Sequence, residues 1–270
     1  MNAQMSAAIR LEYRHESPAG SPRPVNLLFV HGISVGAWVW AEHFLSHFAG
    51  RGYNSLAVSL RGHGGSSGRE RLHSFYLRDF ADDIETAMGT LTGPTVLIGH
   101  SMGGGVAQYY LRRGGRAAGL ALMSSVPPFG LAWASATMAI QQPALWRELS
   151  QLQSGLSANI GVLEQSLFSA KFSRRERRRI MPRFDEPAMR VSVELSAWKR
   201  IAPIPWFAPP VFVIGGENDR FIPPSEVALT AAYYSVRSHI IPGASHVMMV
   251  GPEWRAPADA LDGWLGKTFG

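Results

Sequence analysis

The chain has 270 residues, 46% of them hydrophobic and 17% charged, which excludes a disordered chain and fits one large α/β domain or a domain carrying an insertion. It contains no cysteine, so disulfides, thiolate metal sites and a cysteine nucleophile are all excluded. The net charge is +6 with a pI of about 10.0, and much of the excess lies in "RRERRR", Arg174 to Arg179. No nucleic-acid module surrounds that run, and it reads as a solvated helix face, so no nucleic-acid partner is expected.

The opening twenty residues lack the apolar core of a signal peptide, and a cytoplasmic protein is expected. "RLEYRHESP" reads as a strand, followed by a turn over Gly20 to Pro24. "VNLLFVHG" is a near-continuous apolar run, the pattern of a strand buried on both faces of a parallel sheet. A helix is predicted from Trp40 to Ala49, closed by Gly50 and Gly52. "YNSLAVSL" is the next strand and enters the turn "RGHGGSSG". Phe75 to Met88 is helical, with Phe80, Ile84 and Ala87 on one face and Asp79, Asp82, Asp83 and Glu85 mostly on the other. "PTVLIG" is a strand, Val106 to Arg113 begins a helix, and "GLALMSS" is a strand.

The rhythm then changes. Ala117 to Trp146 carries no charge, but Pro127-Pro128 and several Ser and Gln residues break it, so a strand followed by an apolar insert is read there rather than a membrane span. From Pro127 to about Pro210 helical stretches are punctuated by prolines, with no convincing buried strand. "PVFVIGGEND" and "RSHIIPGASH" are further strands, and a last helix runs through Ala258 to Leu265. Alternating strands and helices predict a mostly parallel sheet covered on both faces. The expected division is a core of residues 1–126 and 209–270 with a helical cap at 127–208.

In such a sheet, ligands bind beyond the carboxyl ends of the strands, so chemistry is sought at the strand ends. Gly99-His100-Ser101-Met102-Gly103 matches the Gly-x-Ser-x-Gly pattern, between a strand and a helix as that pattern requires. A phosphate-loop reading fails because no lysine follows the glycines and the spacing is wrong. A serine hydroxyl needs a base, and the base needs an orienting carboxylate. Of nine histidines, His246 follows the last strand in a short loop; His63 is its main competitor. His31 reads as structural, and His15, His43, His47, His73 and His239 as surface or helix-face residues. Asp219 follows the preceding strand, with Glu217 the weaker competitor, while Asp79, Asp82, Asp83, Asp259 and Asp262 read as helix-surface charges. The order Ser101, Asp219, His246 is serine, acid, histidine. Backbone N–H groups of Met102 and Ile33 are the expected oxyanion donors.

The segments "HGISVGAW", "RGHGGSSG", "GHSMGGG", "GENDRFIP" and "GASH" together resemble the α/β-hydrolase superfamily, over essentially the whole chain apart from the cap. That resemblance implies the α/β-hydrolase fold and a Ser-Asp-His triad. "LRGHGGSSGRERLHSFYLRDFADDIE" is similar to the monoacylglycerol lipase and lysophospholipase branch, and the glycine run after Ser101 to the bacterial esterase and perhydrolase branch. Relatives often carry aspartate where Ser59 stands, a departure that bears on structural support rather than on the triad. The haloalkane dehalogenase and epoxide hydrolase branches are excluded because resemblance to them would put an aspartate at position 101.

The expected activity is hydrolysis of a mostly apolar carboxylic ester, a monoacylglycerol-like lipid or a lactone, with no metal and no organic cofactor. Amide, carbon–carbon bond and perhydrolysis chemistry with the same triad stay open, as does a hydrolase-like receptor of a small ligand. Trp133, Met138 and Trp198, with Trp146, Trp206 and Phe129, either line an acyl pocket or pack the cap onto the core. The apolar start of the cap beside a basic run gives a weak lipid-surface contact as a further expectation.

Overall fold

The structure is a computed structural model that describes residues 8–154 and 156–270. The first seven residues of the opening segment read for a signal peptide lie outside the described residues. Seven strands form one sheet in the order β1-β3-β2-β4-β5-β6-β7. They are β1 (Glu12–Glu16), β2 (Asn26–Val30), β3 (Asn54–Ser59), β4 (Thr95–His100), β5 (Gly119–Met123), β6 (Val211–Gly216) and β7 (Ser238–Ile241). β1 pairs antiparallel with β3, and every other pairing is parallel.

The strand residues alternate between two cores, as the period of two requires. Leu28, Val30, Leu97, Leu120, Leu122 and Val213 face one side, and Leu27, Phe29, Ile98, Ala121 and Phe212 the other. The first side is covered by α3 (Leu77–Met88), α4 (Met102–Arg112) and α10 (Pro224–Tyr233). The second is covered by α1 (Trp38–Ala41), α2 (Phe44–Ala49) and α11 (Arg255–Phe269). Between β5 and β6 the described residues form the α-helices α5 (Ala132–Gln141), α6 (Pro143–Gln153), α7 (Ile160–Leu167), α8 (Arg174–Ile180) and α9 (Met189–Ser196).

Several local expectations are corrected. The single helix predicted over Trp40–Ala49 is two helices, broken at His43, whose backbone (φ −148°, ψ −43°) is not helical and whose ring stacks 4.7 Å from Trp254. The helix predicted from Phe75 starts at Leu77, because the Asp79 carboxylate accepts the Tyr76 N–H (2.7 Å) and fixes the first turn there. Asp83 is not a surface charge. It is buried and accepts the Arg61 backbone N–H (2.8 Å) and two guanidinium N–H groups (2.9 and 2.7 Å), so it anchors the turn after β3. His47, expected on a surface or helix face, is buried on α2.

The departure at Ser59 also has a structural account. Its hydroxyl accepts the Ala37 N–H (2.8 Å) and donates to the Glu12 carboxylate (2.7 Å), which in turn accepts the Gly65 N–H (2.8 Å). A carboxylate reaches this turn after all, carried by β1 rather than by residue 59.

Candidate active site

Ser101 occupies the corner between β4 and α4 with φ 52° and ψ −119°, a conformation that a non-glycine residue adopts only when its surroundings enforce it. The enforcement is visible. The Ser101 N–H donates to the Met123 carbonyl (3.1 Å), and the Ser101 carbonyl accepts from Val126 (3.1 Å) and Gly104 (3.1 Å). Space is equally tight on both sides. A Cβ on Gly99 would stand 2.5 Å from the Gly104 Cα, and one on Gly103 would stand 2.5 Å from the Val30 carbonyl and press on the His31 carbonyl. The flanking glycines are therefore needed for α4 to approach β2 and β4 closely enough to form the corner.

His246 Nε2 lies 3.0 Å from Ser101 Oγ, and His246 Nδ1 lies 2.9 and 3.1 Å from the two Asp219 carboxylate oxygens. A carboxylate only accepts, so Nδ1 carries the proton and Nε2 presents its lone pair to the serine hydroxyl. Asp219 is 3% exposed. Burial pushes its pKa up, but the charge and hydrogen bond of His246, the Ser124 hydroxyl dipole and the Ile222 N–H outweigh this and hold it below the ordinary carboxylate value. The Phe221 and Ile222 N–H groups both donate to Oδ1 at 2.9 Å, which fixes the carboxylate plane.

The loops bearing the acid and the base are laced together. Asn218 N–H donates to the Ala244 carbonyl (2.9 Å), and Glu217 N–H to the Ile241 carbonyl (3.0 Å). The Glu217 carboxylate, the sequence competitor of Asp219, accepts the Gly243 N–H (2.8 Å) and so closes the base loop instead of facing His246. Gly243 sits at φ +72° and gives the turn its sharpness.

The other strand-end histidines have separate tasks. His31 is buried; its Nδ1–H donates to the Gly32 carbonyl (2.7 Å) and its Nε2 accepts the Leu60 N–H (2.9 Å), joining the turns after β2 and β3. His63 is buried 5.1 Å from the His31 ring, and burial lowers its pKa to about 4. Its partner is the Arg61 carbonyl, so it stands apart from Ser101 as a base. His100 is next to Ser101 on the tight turn, where neighbouring side chains point apart; it points the other way, donating from Nε2 to the His246 carbonyl (2.9 Å), with burial lowering its pKa to about 3. It braces the loop that carries His246.

Met102 begins α4, so its N–H has no intrahelical carbonyl to meet. Ile33 follows the β2 turn. Both residues line a cavity of about 220 Å³ that also reaches Ser101 and His246. The rest of its wall is mostly apolar: Val35, Val126, Leu131, Leu149, Phe221 and Met249 are among the contributors. Of the tryptophans and neighbours proposed for it, Met138 and Trp146 line the cavity. Trp133 (58% exposed) and Trp198 (68% exposed) do not. Trp198 stacks on Phe129 outside (6.0 Å), and α5 turns Met138 inward and Trp133 outward. A tryptophan in an amphipathic stretch carries no mark of which face it takes, whereas the wall residues contributed by the core were hidden in ordinary strand ends. Among the described residues no group of three His, Asp or Glu side chains converges to hold a metal ion.

This arrangement can do one kind of chemistry well: activate a hydroxyl against a carbonyl at the edge of an apolar cavity. The sequence profile of the alpha/beta hydrolase family matches residues 27–258, and the chain belongs to that family. A monoacylglycerol lipase of Mycolicibacterium smegmatis is 35% identical over 107 residues, covering 38% of this chain and 37% of that protein. The non-heme chloroperoxidase CPO-A1 of Kitasatospora aureofaciens is 37% identical over 112 residues, 40% of this chain and 39% of that one. The matched stretch thus spans well under half the length of these relatives. The esterase EaEST of Exiguobacterium antarcticum superimposes with a TM-score of 0.74 at 16% identity, covering 96% of this chain and 95% of the other, a likeness of fold.

Proposed function

We propose that the protein is a serine hydrolase of mostly apolar carboxylic esters, with residues 127–208 serving as a cap over its cavity. Ser101 Oγ attacks the ester carbonyl while His246 Nε2 takes its proton and Asp219 stabilises the imidazolium. The backbone N–H groups of Met102 and Ile33 receive the oxyanion, each such donor typically contributing roughly 3 kcal/mol. The C–O bond to the alcohol breaks as His246 returns the proton to the leaving oxygen. Water, deprotonated by the same histidine, then releases the acid from Ser101. The observation that carries this reading is the unbroken relay from Ser101 Oγ through His246 to Asp219 at 3.0 and 2.9 Å. The apolar wall and the modest cavity volume support an apolar acyl group of medium length.

Turnover of p-nitrophenyl esters of increasing acyl length tests the reading. Activity is expected to rise from acetate to medium chains and fall beyond them. No turnover of any chain length, or of a lactone run beside them, would remove ester hydrolysis as the function.

The non-heme chloroperoxidase among the relatives favours one second reading of the same site. An acyl-enzyme at Ser101 that meets hydrogen peroxide in place of water yields a peracid and free serine. Peracid formed from the same esters in the presence of peroxide would assign this activity.

A further inference from the structure

Among the described residues eleven large apolar side chains are left exposed, and ten of them fall between positions 129 and 207, so the excess belongs to the helical insert rather than to the whole surface. The same insert, residues 127–208, holds eleven Lys and Arg against six Asp and Glu, five of the six net positive charges of the chain. Five of the exposed apolar residues lie on α5–α7 or the turn between α6 and α7. Trp133 and Ile140 stand outward on α5, Trp146 on α6, and Leu156 and Ile160 on the entry to α7. α5 packs on α6, and α6 on α7, so these residues belong to one layer.

That layer is apolar on both sides. Its inner side chains, among them Met138, Leu149 and Leu152, line the cavity, while Ile140 and Ile160 are 83% and 64% exposed among the described residues. The only acid between 127 and 163 is Glu148, which is buried and taken up by Arg147 (3.0 Å) and the Asn159 N–H (2.7 Å). The other acid on α5–α7, Glu164, is 29% exposed and faces Arg177 (3.9 Å). Along α8, Arg177 pairs with Glu164 and Arg179 with Glu42, but Arg174, Arg175 and Arg178 are exposed with no carboxylate partner among the described residues.

We propose that the outer face of α5–α7, flanked by the α8 arginines, docks on an anionic lipid bilayer. Apolar side chains seated at the boundary between headgroups and acyl chains, beside cations that meet anionic headgroups, are the pairing such a surface selects. Among the described residues no helix is long and apolar enough to cross a membrane, so the contact is interfacial. A second copy of the chain would set one cationic insert against another. A nucleic acid would meet the arginines but leave Trp133, Ile140 and Ile160 in water. Trp146 is 43% exposed and also lines the cavity, so docking brings the cavity mouth to the lipid. That consequence rests on the hydrolase reading; the docking itself does not.

Co-sedimentation of the full chain with phosphatidylcholine vesicles, alone or mixed with phosphatidylglycerol, tests the proposal independently of turnover. Binding to the mixed vesicles is expected to be tighter by about a hundredfold, each free arginine contributing about fivefold, and to weaken with salt. R174E/R175E/R178E should lose the preference for anionic vesicles. I140D/I160D should lose binding to both kinds. Turnover of a soluble short-chain ester and the melting temperature should be unchanged in each variant. Absence of vesicle binding, equal binding to both compositions, or variants that bind like the wild type would overturn the proposal. So would a dimer that dissociates on I140D/I160D and shows no affinity for vesicles, which would assign the face to a second copy.

Discussion

Asp219→Asn is expected to lower kcat for p-nitrophenyl ester hydrolysis by about 10³- to 10⁴-fold while leaving the fold and KM nearly unchanged. The reasoning is one of proton inventory. Asp219 accepts from His246 Nδ1 at 2.9 Å and from the Phe221 and Ile222 N–H groups, both of which reach Oδ1 at 2.9 Å. An asparagine can keep its carbonyl oxygen on those two N–H groups, so the loop has no reason to unfold. Its amide nitrogen then faces Nδ1 and donates. The imidazole must answer by moving its proton to Nε2, which places an N–H against Ser101 Oγ where a lone pair is needed. Steady-state kinetics with the melting temperature as control checks this. A variant with wild-type kcat would mean that Asp219 only holds the loop.

Gly103→Ala is the second change with a large expected effect, and it acts through shape alone. The added methyl would sit 2.5 Å from the Val30 carbonyl and against that of His31, both backbone and unable to swing away. Either α4 lifts or the end of β2 recedes. The first moves Ser101 and the Met102 N–H, and the second moves the Ile33 loop, so both expected halves of the oxyanion site shift relative to each other. Overpacking of this kind costs about 1–3 kcal/mol in stability. Displacement of the reacting groups by as little as 1 Å costs about 10²-fold in rate. The expected result is a lowered melting temperature and a loss of kcat/KM of at least about 10²-fold. Gly263→Ala is the contrast: a Cβ there meets nothing within 4 Å on α11, and stability should hold or rise slightly. Equal behaviour of the two variants would refute the steric account of the corner.

The features legible in the sequence were those whose physics is local. Buried parallel strands announce themselves as apolar runs, and Ser101 declares its corner through Gly99 and Gly103. Asp219 and His246 could be chosen because each follows a strand and strand ends meet at one edge of the sheet. What escaped was set by partners distant in sequence. Asp83 looks like any acid on an amphipathic helix until Arg61 is folded onto it. The carboxylate missing at position 59 reappears from Glu12, 47 residues away. His100 shows no task in the sequence beyond filling the Gly-x-Ser-x-Gly pattern, yet its adjacency to Ser101 aims it at the His246 carbonyl. In the insert, Trp133 and Trp146 both stand in apolar helical stretches and both are exposed, yet only Trp146 also reaches the cavity.

The central claim is that Ser101 is a nucleophile activated by His246. Covalent labelling with a fluorophosphonate, read by intact mass and peptide mapping, tests it most directly. The account predicts a single adduct on Ser101 in the wild type, none in Ser101→Ala, and labelling slowed by orders of magnitude in His246→Ala. Equal labelling of wild type and Ser101→Ala, or an adduct mapped to another serine, would contradict it.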